Sequence, residues 1–284
     1  MNENVTKSTT RNVAKIITII VAITVIVAVG ITWFIKVQIP HNNAMKDYKA
    51  VIAEIDNKNS ELDGIVQKIQ ELIDSGEKPL DETCATNAKE TVKKAQAAKV
   101  LVEDTPKSTD EVIKKTQELK GSVDYTETIS LLNDAYNKLD LSIQQFKQLT
   151  NPSEEFVITR LQTVDEIADV RAVTEDNDPN GQLHKQGGYT ATVYFESKNV
   201  NQSDAYGDNL IDKGTDAGGA VEVYATQEDA DKRNTYLSAF DGGALSSGSH
   251  KVVGTVIVRT SQLLNASQQK VLEQKVVDAL SKIE

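Results

Sequence analysis

The sequence predicts three successive architectures. These are an N-terminal transmembrane helix, an all-α coiled-coil or helical-bundle stalk, and a C-terminal α+β two-layer sandwich built on a mainly antiparallel four-stranded sheet. Three observations carry that expectation. Ile16 to Ile35 is an uncharged apolar run, Met45 to Ile73 holds an unbroken heptad series, and period-2 alternation replaces helical spacing after Pro152. The expected segments are a cytoplasmic tail at 1–15, an anchor at 16–35, a helical stalk at 41–151 and an extracellular α+β domain at 152–284.

The apolar run reads IITIIVAITVIVAVGITWFI, bracketed by Lys15 and Lys36. At about 1.5 Å per residue such a helix spans roughly 30 Å, the thickness of a hydrocarbon core. Only a helix or closed barrel satisfies backbone polar groups in lipid. The indole of Trp33, near one end, suits the interface. The run exceeds the usual length of a cleaved signal's apolar core, and no A-x-A site follows it, so an uncleaved anchor is expected. No cysteine follows it to carry a lipid. Lys7, Arg11 and Lys15 precede the span, while residues 37–284 carry 27 basic and 41 acidic side chains. Lys36, Lys46 and Lys49 after the span nearly balance the basic residues before it, so it is the short basic tail against the long acidic remainder that predicts a single-pass protein with its N-terminus inside.

The whole chain of 284 residues has a net charge of −11. Acidity argues against nucleic acid, whose phosphates require clustered Lys and Arg. The single cysteine, Cys84, excludes an internal disulfide and a cysteine-built zinc site. Unpaired cysteine fits an outer face that does not rely on disulfides, as in many Gram-positive surface proteins.

In the stalk, Met45, Tyr48, Ile52, Ile55, Asn59, Leu62, Val66, Ile69 and Ile73 fall at alternating steps of three and four, the a/d pattern of a helical seam. Asp74-Ser75-Gly76 and Pro79 end it. A second helix is expected from Glu82 to Glu103, with a seam of small residues, and a third from the capping box Ser108/Glu111. Gly121-Ser122 marks a break or kink, with Asp124 and Glu127 as a new cap, and Val123 and Ile129 through Phe146 continue the stripe. Two packings follow: an intramolecular antiparallel bundle, or an intermolecular coiled coil in which Asn59 sets oligomer register. Cys84, near a helix start, is either a reactive thiol or an inert small residue.

In the C-terminal domain, strands are expected at Asp169–Thr174, Tyr189–Glu196, Ala220–Thr226 and Val252–Arg259, the last with Gly254 inside it. Helices are expected from Ser153 to Leu161, after the Thr226 cap, and from Ala266 to Ile283. The helix after Thr226 should bury Ala230, Tyr236, Leu237 and Phe240.

The runs TEDNDPNG (174–181), KQGGYTATVYF (185–195), KGTDAGGAVEVY (213–224), KRNTYLSAFDG (232–242) and GSHKVVGTVIVRTS (248–261) are long and unusual. In these, the chain resembles membrane-anchored surface proteins of Gram-positive bacteria loosely labelled extracellular-matrix-binding-protein-like. The resemblance covers 152–284. It implies location and architecture and supplies no catalytic residues.

Two places offer chemistry. Asp176, Asp178 and Asn180, followed by Gly181, match the first half of a calcium loop, with alternate oxygens and a glycine turn. Gly187 stands where an EF-hand supplies its bidentate Glu, which excludes that motif and leaves either another calcium site or an ordinary Asx-rich turn. The glycine-rich loops at Gly187-Gly188, Gly218-Gly219, and Gly242-Gly243 with Gly248 form a polar binding site if they gather near His184, Lys185, His250 and Arg259. The rival reading makes them simple turns. Ser247, Ser249 and His250 lie close in sequence, yet no nucleophile elbow surrounds them.

The expected function is therefore a non-catalytic surface protein, integral to the membrane, presenting an interaction domain to an envelope or extracellular ligand. The alternatives are a scaffold acting by coiled-coil self-association and an envelope hydrolase. No cofactor is expected beyond the calcium candidate.

Overall fold

A computed structural model describes residues 3–102, 104–122, 124–242 and 248–283. Glu103, Val123, Gly243 and Ser247, used in the sequence reading, lie outside the described residues. The chain forms two compact units: 1–67 with 92–132, and 68–91 with 133–284.

The first unit opens with α1 (Glu3–Trp33), one π turn at Phe34–Gln38, and α2 (Ile39–Asp74). The helix is thus continuous through Pro40. Proline has no N–H to donate to the carbonyl four residues back. The wider turn absorbs this defect, with Ile39 N–H bonding Phe34 O. The apolar side chains of the 16–35 run are exposed, and this helix is long and apolar enough to cross a membrane.

The α2 seam is buried by the chain itself. Ala44, Tyr48, Val51 and Ile55 pack against Val112 and Leu119 of α4 (Thr109–Gly121). The Ser108/Glu111 capping box forms as expected. Gly121-Ser122 ends α4 outright, and Asp124 accepts the Thr126 N–H to start α5 (Thr126–Gln148). The third expected helix is therefore two. The second, α3, is shorter than expected, Thr83–Ala98.

The second unit contains a five-stranded antiparallel sheet of order β1-β2-β3-β5-β4. Its strands are β1 (Ile167–Ala172), β2 (Tyr189–Ser197), β3 (Gly218–Tyr224), β4 (His250–Val253) and β5 (Val256–Thr260). The expected single strand at Val252–Arg259 is a hairpin. Gly254 adopts φ 64°, and a Cβ there would sit 2.7 Å from the Leu149 carbonyl. Thr255 N–H donates to that same carbonyl at 3.0 Å, pinning the turn.

The expected two-layer arrangement also changes, because the sheet is covered on both faces. On one face Val193, Phe195, Val221, Val223, Val256 and Val258 pack against α6 (Glu154–Leu161) and α9 (Ala266–Ser281). On the other, Tyr194, Ala220, Tyr224 and Ile257 pack against the short α7 (Leu210–Lys213) and α8 (Gln227–Ser238). Every residue of β3 is buried. Its alternation of Val with Ala, Glu and Tyr separates two cores rather than core from solvent. Gly219 reflects this crowding: a Cβ would lie 2.3 Å from Phe195 and 2.2 Å from the Arg259 carbonyl oxygen.

Candidate functional site

The β1–β2 loop is organised by Asp178. Its Oδ1 accepts the Asn180 N–H at 3.0 Å and the Tyr189 hydroxyl. Its Oδ2 accepts the N–H groups of Gln182 and Leu183 at 2.6 and 2.8 Å. Burial would raise its pKa, but these donors outweigh it and hold the carboxyl below its ordinary value. Asp176 is exposed, and Asn180 reaches the Tyr194 hydroxyl at 3.4 Å. Thus Asp178 and Asn180 meet two tyrosines, and Asp178 spends its lone pairs within the loop. Among the described residues, no group of three or more His, Cys, Asp or Glu side chains is placed to hold a metal ion.

Beside that loop lies a buried ionic cluster. Glu222, on β3, is 0% exposed. Arg233 of α8 grips it through Nε and Nη2, each at 3.0 Å, and Arg259 of β5 through Nη1 at 2.8 Å. The Tyr224 hydroxyl adds a bond of 2.8 Å. Desolvation opposes ionisation of Glu222, yet Arg259 and then Arg233 prevail and keep it a carboxylate. Burial pushes Tyr194 up to about 12, so its hydroxyl stays protonated. Tyr224, raised by burial and by Glu222, does the same.

A groove of about 450 Å³ opens over these groups. Asn180, Gln182 and Gly187-Gly188 form one wall, and Asp229, Lys232, Arg233 and Tyr236 of α8 the other. Tyr189 and Tyr224, packed edge to face, close the bottom. Tyr236, expected in the core, is instead 57% exposed, with its ring near the Arg233 guanidinium and the Phe240 ring. The α8 core face is Ala230 and Leu237. Gly188 is required here, since a Cβ would fall 2.1 Å from the Gln182 carbonyl.

The remaining candidates are dispersed. His184, at φ 58°, bonds Glu175 at 3.0 Å on the surface, and Lys185 is exposed. His250 and Arg259 are cross-strand partners, but they serve different clusters. The two nitrogens of His250 meet Asn234 at 2.7 Å and Asp241 at 3.2 Å. Ser249 pairs with Thr260 and Glu273 rather than with its histidine neighbour. Gly218 and Gly219 lie within β3, away from the loop of Gly187 and Gly188. Asn59 bonds Val100 and Tyr125 of its own chain. The Cys84 thiol is pushed up by burial and by Asp81, away from the reactive thiolate.

Sequence reasoning singled out Asp178, Asn180 and Arg259 but missed Glu222, Arg233 and Tyr236. The available signal was a charged residue inside a valine-rich strand at 220–224, which called for a buried partner. No protein-family model, curated protein or solved structure matches this chain.

Proposed function

We propose that this protein is a single-pass, non-catalytic surface protein of a bacterial cell membrane. Its N-terminus is cytoplasmic, and its α+β domain is displayed outside as a binding module. The observation that carries the reading is the helix Val13–Asp74, which begins with an apolar stretch wholly exposed in the isolated chain. Lipid is the solvent that such a surface fits. The N-inside orientation rests on the short basic tail with Lys7, Arg11 and Lys15, set against a long region beyond the span. The resemblance to extracellular-matrix-binding-protein-like surface proteins agrees with display. The polar, aromatic-lined groove supports binding. The occupied nitrogens of His250 speak against a serine–histidine hydrolase.

Labelling on intact cells tests this. The full chain is expressed with Cys84→Ser and either Tyr206→Cys, a position 95% exposed, or Ser8→Cys in the tail. A membrane-impermeant maleimide is expected to modify Cys at 206 and spare Cys at 8 until the cells are lysed. The opposite pattern overturns the orientation, and release of the chain by alkaline carbonate overturns the anchor.

A further inference from the structure

Resting on the reading of this domain as a binding module, we infer that the groove between the β1–β2 loop and α8 is a subsite for a neutral saccharide. Three features of its walls converge on that ligand class. First, the groove offers both signs of polarity at close quarters. Asp229, which already accepts from the Thr226 hydroxyl, brings carboxylate oxygens, while Arg233 and Lys232, the latter paired with Glu228 and Asp229, bring donors. A simple anion meets Asp229 and a simple cation meets Arg233. A polyhydroxylated ligand, with donor and acceptor on every hydroxyl, uses both.

Second, the polar groups are held in place before any ligand arrives. Arg233 is fixed by its two bonds to the fully buried Glu222. Asn180 and Gln182 are carried by a loop whose backbone N–H groups are gathered on Asp178. Tyr189 and Tyr224, both buried, donate their hydroxyls inward to Asp178 and Glu222, which fixes the rings that line the bottom of the groove. Preorganisation of this kind lowers the ordering cost of binding a weakly apolar, hydrated ligand.

Third, Tyr236 places a large exposed ring on the rim, steadied edge-on by Phe240. An amphipathic ring of this sort covers the C–H face of a pyranose while its hydroxyl edge remains wet. The volume, about 450 Å³, lies in the range of small-ligand sites. An extended polymer enters as one unit at a time, because the groove is open rather than enclosed.

The test uses the full chain in a zwitterionic detergent free of sugar headgroups. Binding of N-acetylglucosamine tetramer, cellotetraose and maltotetraose is measured by saturation-transfer NMR and titration calorimetry. Tetragalacturonate and inorganic phosphate are the charged comparisons. At least one neutral oligosaccharide is expected to bind saturably, about tenfold more weakly after Tyr236→Ala and again after Asn180→Ala. Tyr206→Ala, on another loop, should leave binding intact, and thermal melts verify that each variant is folded. Each tetramer is compared with its own monosaccharide: tighter binding of the tetramer assigns the site to a polymeric glycan, and equal binding of the monosaccharide to a free sugar. The inference is overturned if no neutral saccharide saturates the protein, if binding ignores both substitutions, or if the charged probes bind tighter and weaken with salt. None of these results alters the labelling outcome, so loss of the ligand assignment leaves surface display standing.

Discussion

The Tyr125 hydroxyl donates to Asn59 Oδ1 at 3.0 Å and accepts the Val100 N–H at 2.6 Å. Asn59 Nδ2 closes the triangle on the Val100 carbonyl at 3.0 Å. A polar residue in the α2 seam thereby ties together the start of α5 and the segment after α3. Tyr125→Phe leaves the part-buried Val100 amide and Asn59 side-chain carbonyl short of a partner, at a cost of about 1 kcal/mol. Chemical denaturation of the full chain in detergent measures it. Because both polar atoms of Asn59 are used internally, Asn59→Leu should destabilise the protein while leaving its sedimentation unchanged. A shift in oligomeric state would restore Asn59 to a role between chains.

Glu222 is held ionised by Arg259 and Arg233 at full burial. Its folded pKa lies below the unfolded value of about 4.3, so the unfolded chain takes up the proton more readily. The resulting stability is complete above about pH 4.5 and is lost as pH falls through the folded value. Glu222→Gln should cost about 3–5 kcal/mol at neutral pH, since it removes the buried negative charge that faces two guanidiniums. It should also flatten this part of the acid-unfolding curve, measured by circular dichroism against pH.

Asp178 carries the same sign, for it too is depressed in the folded chain. Asp178→Ala releases three backbone N–H groups and the Tyr189 hydroxyl, and should lower the melting midpoint substantially. Calcium is expected to leave the wild-type midpoint where it stands, because the carboxylate oxygens already receive four donors. A calcium-dependent rise abolished by both Asp176→Ala and Asp178→Ala would instead put a cation in this loop.

In the span, Val25→Arg places a charge at the centre of the apolar run. It should cost about 2.5–3.5 kcal/mol of insertion free energy. A glycosylation-mapped insertion assay reads this as a reduced integrated fraction. Val13→Arg, at the edge of the run, should be far milder.

The helical part of the fold was legible because its signals are local. The Ser108/Glu111 box and the Gly121-Ser122 break each involve residues within a turn or two, and both appear in the structure. The heptad steps of α2 mark the helix and much of its buried face, although Ala44 and Val51 are buried there and Met45 and Ile52 only partly so. The sheet was less legible where burial overrides alternation. Val221 and Val223 announced one core, but Ala220, Glu222 and Tyr224 announced a second only through partners distant in sequence. Gly254 looked like a glycine inside a strand, since nothing local reveals that Leu149 occupies the space of its side chain. The spacing of Ala230, Tyr236, Leu237 and Phe240 predicts one buried helix face, yet α8 buries Ala230 and Leu237 and leaves Tyr236 57% exposed.

Trp33 is the chain's one tryptophan and stands half-exposed at the end of α1, whereas six of the eight tyrosines, Tyr136, Tyr189, Tyr194, Tyr206, Tyr224 and Tyr236, belong to the sheet unit. The protein therefore contains two native chromophores with separate addresses. Excitation confined to the indole reports the polarity around the end of α1 and is blind to melting of the sheet. Phenol absorbance reports the sheet unit with little contribution from the span. Insertion and domain stability are thus separable in one cuvette, without a label.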